Sequence, residues 1–156
     1  MQEVCSVFKK AELNNVSSIL ASGNIIFSSN KDKTELKPLL EKATSVHFNY
    51  EAFLFLKEKS EIEAIIKNNP FVKSKDFHTY SFIGIDDIEI LLMENFINGI
   101  KTKEEEAQIK STNFYWKIPK GNTLESEFGK ILGKKKLKNS FTSRNINTLE
   151  KILNKI

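Results

Sequence analysis

Arg144 is the one arginine among the 24 Lys and Arg residues of this chain. A guanidinium is planar, permanently charged and forked, so it grips a carboxylate or phosphate through two parallel bonds in a way that an ammonium cannot copy. Thr142, Ser143 and Asn145 flank it, and Lys134, Lys135 and Lys136 stand a few residues upstream. With Thr142 or Ser143 capping a final helix, free backbone N–H groups, a hydroxyl and the guanidinium could converge on an anion. The nearby lysines would raise the local anion concentration. A structural role stands beside this one: Thr142 caps, and Arg144 pairs with a carboxylate or carbonyl across a subdomain boundary. A second run, Ser22, Gly23 and Asn24, holds residues that accept positive φ, so its backbone could offer N–H groups to a ligand. Turn chemistry alone also accounts for that run.

Other chemistries find no support. His47 and His78 stand far apart, with no carboxylate or cysteine spacing around either that suits zinc. There is no Gly-rich nucleotide fingerprint, no P-loop and no nucleophile elbow. Glu104, Glu105 and Glu106 follow Lys101 and Lys103 and read as a solvated charge run. The expectation is therefore no cofactor and no metal, with no catalytic motif in the sequence to support an enzyme. One cysteine, Cys5, has no partner for an internal disulfide; it reads as a buried helix residue in a reducing compartment. No stretch approaches the roughly 18 apolar residues of a membrane span, and the first residues do not resemble a signal peptide. A cytoplasmic location is expected. Charge is uneven: residues 117–156 carry ten basic side chains against Glu125, Glu127 and Glu150, in a chain of net charge +4. Such a quarter suits a small anion or nucleic acid as partner, although a solvated lysine face explains it too. The oligomeric state stays open.

The elements that must position these residues follow from periodicity. Val4, Val7, Phe8 and Ala11 predict an opening helix over residues 3–13. Residues 16–20 and 25–27 predict a hairpin, and Leu36, Leu39, Leu40 and Ala43 a helix with Pro38 near its first turn. Residues 51–56 read as a largely buried strand. Ser60 with Glu63 forms a capping box for a connecting helix. A strand over residues 77–85 leads to a helix with an Asp86–Glu89 capping box, carrying Ile88, Leu91, Leu92 and Phe96. A hairpin over residues 107–118 follows, then a helix with Leu124, Phe128, Ile131 and Leu132 that ends at Gly133. A weak strand over residues 137–141 and a helix with Ile146, Leu149, Ile152 and Leu153 complete the chain. His78, Tyr80 and Phe82 share one strand face, and Tyr115 lies opposite Phe114 and Trp116. Rings on such sheets can stack RNA bases, but core packing is the stronger reading.

The fold class is thus α+β: two ferredoxin-like βαββαβ subdomains forming a duplication, the first missing its first strand, with an extra C-terminal helix. The first subdomain covers residues 1–58, a connecting helix and loop 59–72, and the second subdomain with its C-terminal helix 73–156.

Four runs, residues 21–27 (Ala-Ser-Gly-Asn-Ile-Ile-Phe), 69–71 (Asn-Pro-Phe), 114–119 (Phe-Tyr-Trp-Lys-Ile-Pro) and 142–148 (Thr-Ser-Arg-Asn-Ile-Asn-Thr), occur in an order and spacing that resembles the bacterial family called domain of unknown function 1697. The resemblance covers nearly the whole chain and implies two ferredoxin-like subdomains and no assigned activity. It also implies a leading strand and a Gly-rich segment with an Arg-Gly-Ile-Asn run, which this sequence lacks; a misassigned start or a gene fragment is the expected reason. The expected function is a non-catalytic binding or interaction protein, with an anion as the candidate ligand. The alternatives are single-stranded nucleic-acid binding through the basic quarter, and an enzyme acting on a small phosphorylated or carboxylated substrate.

Overall fold

The computed structural model describes every residue except 20–22, 135, 136 and 138. It is a mixed α+β structure with six helices and two sheets among the described residues. The chain divides into two units, Met1–Lys57 with Asn154–Ile156, and Glu58–Leu153.

In the first unit α1 (Gln2–Lys10) precedes the antiparallel pair β1 (Asn14–Ile19) and β2 (Asn24–Ser28), and α2 (Lys33–Phe48) follows. The stripe read from the sequence becomes the core: Val7, Phe8, Leu13, Leu36 and Leu40 are buried, with Ile25, Phe27, Leu54 and Leu56 packed on them. Cys5 is half-buried rather than buried. Asp32 starts α2 by accepting from the N–H groups of Thr34 and Glu35 at 2.8 and 3.1 Å, so Pro38 falls in the second turn and not the first.

Residues 51–58 form no ladder, which differs from the strand expected there. The strand alternation is nevertheless present, with Ala52 buried, Leu54 and Leu56 on the core and Phe53 exposed. The backbone finds other partners: the Ala52 N–H donates to Ser45 Oγ at 2.9 Å and the Leu54 N–H to Glu41 Oε1 at 2.8 Å. Side chains of α2 thus supply the acceptors that a neighbouring strand would have supplied.

The second unit runs α3 (Lys59–Lys67), β3 (Phe77–Gly84), α4 (Ile88–Asn98), β4 (Glu106–Lys110), β5 (Asn113–Pro119), α5 (Glu127–Leu132), β6 (Phe141–Asn145) and α6 (Ile146–Leu153). Its sheet has the order β4-β5-β3-β6 and is antiparallel throughout. β3 is central, pairing Ser81 with Tyr115 on one side and with Arg144 on the other. On one face Phe82, Phe114, Trp116 and Ile118 form the core with Ile88, Leu92 and Phe96 of α4 and Phe128 of α5. The opposite face carries Tyr115, whose hydroxyl donates to the Ile65 carbonyl of α3 at 2.8 Å, and α6 packs on α3, β3 and β6. Phe114, Tyr115 and Trp116 are at most 1% exposed, so these rings are core and offer no stacking platform.

Several local expectations shift. The start of α3 is organised by Glu58 and Glu61, the Glu58 N–H donating to Glu61 Oε2 at 2.8 Å, two residues before the Ser60–Glu63 pair. At α4 the N-cap is Asp87 with φ 60° and no side-chain bond, in place of an Asp86–Glu89 box. β6 begins four residues later than expected, because Leu137, although buried, sits in a turn whose N–H groups fold back on Lys134 and Leu137 carbonyls. Glu105 is buried, accepting from the Trp116 indole N–H and from Thr102; it is no solvated charge.

Before α5, Leu124 is exposed and Ser126 caps, its Oγ accepting from the Gly129 N–H at 2.9 Å. A Cβ at Gly129 would collide with the Thr123 carbonyl, whereas one at Gly133 would meet nothing closer than 3.5 Å. Gly129→Ala is therefore expected to cost roughly 2–3 kcal/mol, read as a lower urea midpoint, while Gly133→Ala leaves the midpoint within about 0.5 kcal/mol.

Candidate functional site

Within the second unit, the residues 142–145 singled out in the sequence do not share one face of the sheet. Strand alternation along β6 places Thr142 and Arg144 on the face covered by α3 and α6, and Ser143 and Asn145 on the other. Thr142 and Ser143 are strand residues and cap nothing. Asn145 takes that part, its Oδ1 accepting from the Asn147 N–H at 2.9 Å at the head of α6. The Arg144 guanidinium is turned back along its own strand, Nη1 donating to Thr142 Oγ1 and to the Ser143 carbonyl at 2.5 and 2.8 Å. Burial pulls its pKa below the usual arginine value, because desolvation disfavours the charged form.

In the first unit Gly23 has φ +77° and open space around it. Asn24 is buried and its amide donates to the Ile19 carbonyl at 3.2 Å. Both close the β1–β2 hairpin, which pairs Ile19 with Asn24. The corresponding turn in the second unit uses Ser111 at φ 53° to do without glycine. Lys134 is exposed; Ser22, Lys135 and Lys136 lie outside the described residues.

What the fold does assemble is a cleft of about 70 Å³ at the head of α6, room for several waters or a group the size of phosphate. Ile66, Phe77 and Ile146 give it an apolar floor. Asn69, Lys73, Ser74, Thr79, Asn147 and Glu150 supply polar walls. Lys73 Nζ lies 2.7 Å from a Glu150 carboxylate oxygen, with 68% of the lysine side chain exposed, so the pair is screened and adds little stability. Asn69 is held by its own loop, accepting from the Phe71 N–H and donating to the Phe71 carbonyl. One rung further along β3 stands a polar row: Gln108, Tyr115, Ser81 and Arg144 face each other across four strands. Ser81 is fully buried, and its Oγ finds no partner among the described residues. Burial pushes the Tyr115 hydroxyl up to about 12, so it stays a donor to Ile65.

Of the residues lining the cleft, Asn145 was among those singled out in the sequence, and Lys73, Asn69, Asn147 and Glu150 were not. The i,i+4 step from Ile146 to Glu150 was visible; the approach of the 69–74 loop was not. Among the described residues no three His, Cys, Asp or Glu side chains group as a metal site, and no helix is long and apolar enough to cross a membrane.

On the other sheet face Asn145 also reaches His78, 2.9 Å from its Nδ1. Because Asn145 Oδ1 accepts from the Asn147 N–H, its Nδ2 faces the ring and donates, which requires an unprotonated Nδ1. Burial, then the charge of Lys120, holds the His78 pKa below 6.5. A depressed histidine pKa means that the unfolded chain binds the proton more tightly. The contribution is therefore complete above pH 6.5 and is lost as pH falls through the folded-state value. Urea midpoints at pH 7.5 and 5.5 are expected to fall in the parent chain, with a smaller fall in His78→Gln; equal falls would detach the histidine from the head of α6.

No curated protein matches the chain. Its fold is similar to that of the conserved bacterial protein SP0830 from Streptococcus pneumoniae, at 21% identity and a TM-score of 0.76, over 99% of this chain and 87% of that one. The sequence profile of the family described as "Protein of unknown function (DUF1697)" matches residues 1–115. The chain belongs to that family.

Proposed function

We propose that this protein works by binding, and that its ligand enters the cleft at the head of α6 with a carboxylate or phosphate directed at Lys73. One observation carries the reading: the start of a helix, the exposed cationic side chain of Lys73, and Asn69 and Asn147 border the same small cleft. The positive end of the α6 dipole favours an anion there, and Lys73, in an exposed pair with Glu150, can exchange one carboxylate for another. Arg144 acts from behind, stiffening β6 rather than gripping the ligand. Nucleic-acid binding through the basic quarter remains the second reading, supported by charge and not by exposed rings.

We also infer that the chain is a duplication of two ferredoxin-like halves. The strand order of the second unit supports this, since β3-α4-β4-β5-α5-β6 with β3 between β5 and β6 is the split βαβ arrangement. Residues 1–57 run helix, hairpin, helix and an alternating segment, the same succession less its leading strand.

Thermal melts with inorganic phosphate, with succinate and with a random single-stranded oligonucleotide, each at low and moderate salt, test the site. A saturable, salt-tolerant rise in midpoint with phosphate or succinate, abolished in Lys73→Ala, is the expected result. A rise with the oligonucleotide alone, falling steeply with salt, would replace this reading with the nucleic-acid one.

A further inference from the structure

The outer surface of α4 does not look like that of a helix facing water. Its inner stripe is satisfied by Ile88, Leu92 and Phe96, yet Ile90, Leu91 and Ile97 are 51%, 39% and 61% exposed, and Ile100 just beyond the end is 79% exposed. Large apolar side chains grouped on the outer side of a helix mark a contact surface. The charge pattern is equally one-sided. Residues 81–100 contain no lysine or arginine, although the chain has 24 basic residues. Asp86 and Asp87 are exposed where α4 begins, and Lys101 and Lys103 are exposed after it ends. Ile90, Glu94 and Ile97 recur at steps of four and three, so they lie along one line on that outer surface. Asp87 stands just before the helix and Lys101 just after it, beyond the extended Gly99, so acid marks one end and base the other. Lys101 is kept at its end by donating to the Ile97 carbonyl at 3.3 Å, with its ammonium 5.2 Å from the Phe96 ring centre.

A surface of this kind is complementary to itself when inverted. We propose that α4 pairs with α4 of a second copy of this chain, the two helices antiparallel across a two-fold axis. In that arrangement Ile90 of each copy packs near Ile97 of the other, and the acidic start of each helix meets the basic end of its mate. The two macrodipoles also oppose each other. A two-fold contact is self-complementary and closes at the dimer, whereas docking α4 on the basic C-terminal quarter of another copy would be a heterologous contact, which builds a larger ring or an open chain of molecules. Glu94 lies between the isoleucines, so the axis brings two like charges together near its centre. The apolar area of one helix face is modest, and the association belongs with small interfaces of under roughly 1,200 Å².

Sedimentation equilibrium of the full chain over a wide concentration range tests the pairing. The expected mass rises from that of the 17.9 kDa chain to twice that value and stops. Ile97→Asp, at an exposed position that the fold tolerates, weakens the dimer at least tenfold while leaving the far-ultraviolet circular dichroism unchanged. Glu94→Gln tightens it by removing the repulsion at the axis. Asp87→Lys weakens it, and adding Lys101→Asp restores it. A chain monomeric at every concentration overturns the proposal, as does a mass that grows beyond the dimer. A dimer indifferent to Ile97→Asp and Glu94→Gln overturns it too, because such a dimer uses another surface.

Discussion

The second unit depends on β3 being paired along both edges and covered on both faces. A central strand in that position has no backbone group to spare, so every neighbour is fixed in register: Tyr80 opposite Trp116 and Asn145, Ser81 opposite Tyr115 and Arg144. The face toward α4 and α5 is aromatic, with Trp116 5.1 Å from Phe128 and Phe82 5.3 Å from Phe114 between ring centres. Each such pair adds about 0.5–1.5 kcal/mol beyond its buried area. The polar atoms in this interior are answered locally, Trp116 by Glu105 and Tyr115 by the Ile65 carbonyl. Ser81 is the exception in the middle of the sheet, next to Arg144, whose own needs are met partly by Thr142 and Ser143.

The same pairing creates the cleft. β6 is held against β3 as far as Asn145, and α6 begins at the next residue. No loop intervenes, so Asn145 is at once the last strand residue, the cap of α6 and the partner of His78. The head of α6 is thereby fixed beside Thr79 on β3, and the loop after α3 brings Asn69 and Lys73 to the other wall. A cleft built this way has one wall set by the sheet and the other by a loop.

Much of this was legible in the sequence, and each failure has its own physical cause. Period-2 and period-3.6 patterns located both hairpins, α2, α4, α6 and the central strand, because in those segments burial is one-sided or complete. β6 was misplaced because its residues, Phe141 through Asn145, are mostly polar; their strand geometry is imposed by the β3 edge and not by their own alternation. Residues 51–56 showed the opposite error, a true alternation without a ladder, since α2 side chains occupy the backbone N–H groups. Arg144 was singled out for its rarity, but rarity marks chemical need and not which atoms meet that need. Lys73 and Glu150 were invisible for a different reason: they are distant in sequence, and one charge among many looks like any other. Glu105 was read as solvated because nothing in a run of three glutamates says which one turns toward Trp116.

The account stands on β3 as the element that fixes the head of α6, and residue-resolved hydrogen exchange tests this most directly. Amides of β3 that bond to β5 and β6 are predicted to exchange only through global unfolding. Those at the start of α6 follow next, and residues 51–57 exchange much faster. Fast exchange along the β3–β6 ladder, comparable with that of residues 51–57, would contradict it, because the cleft would then have no fixed wall.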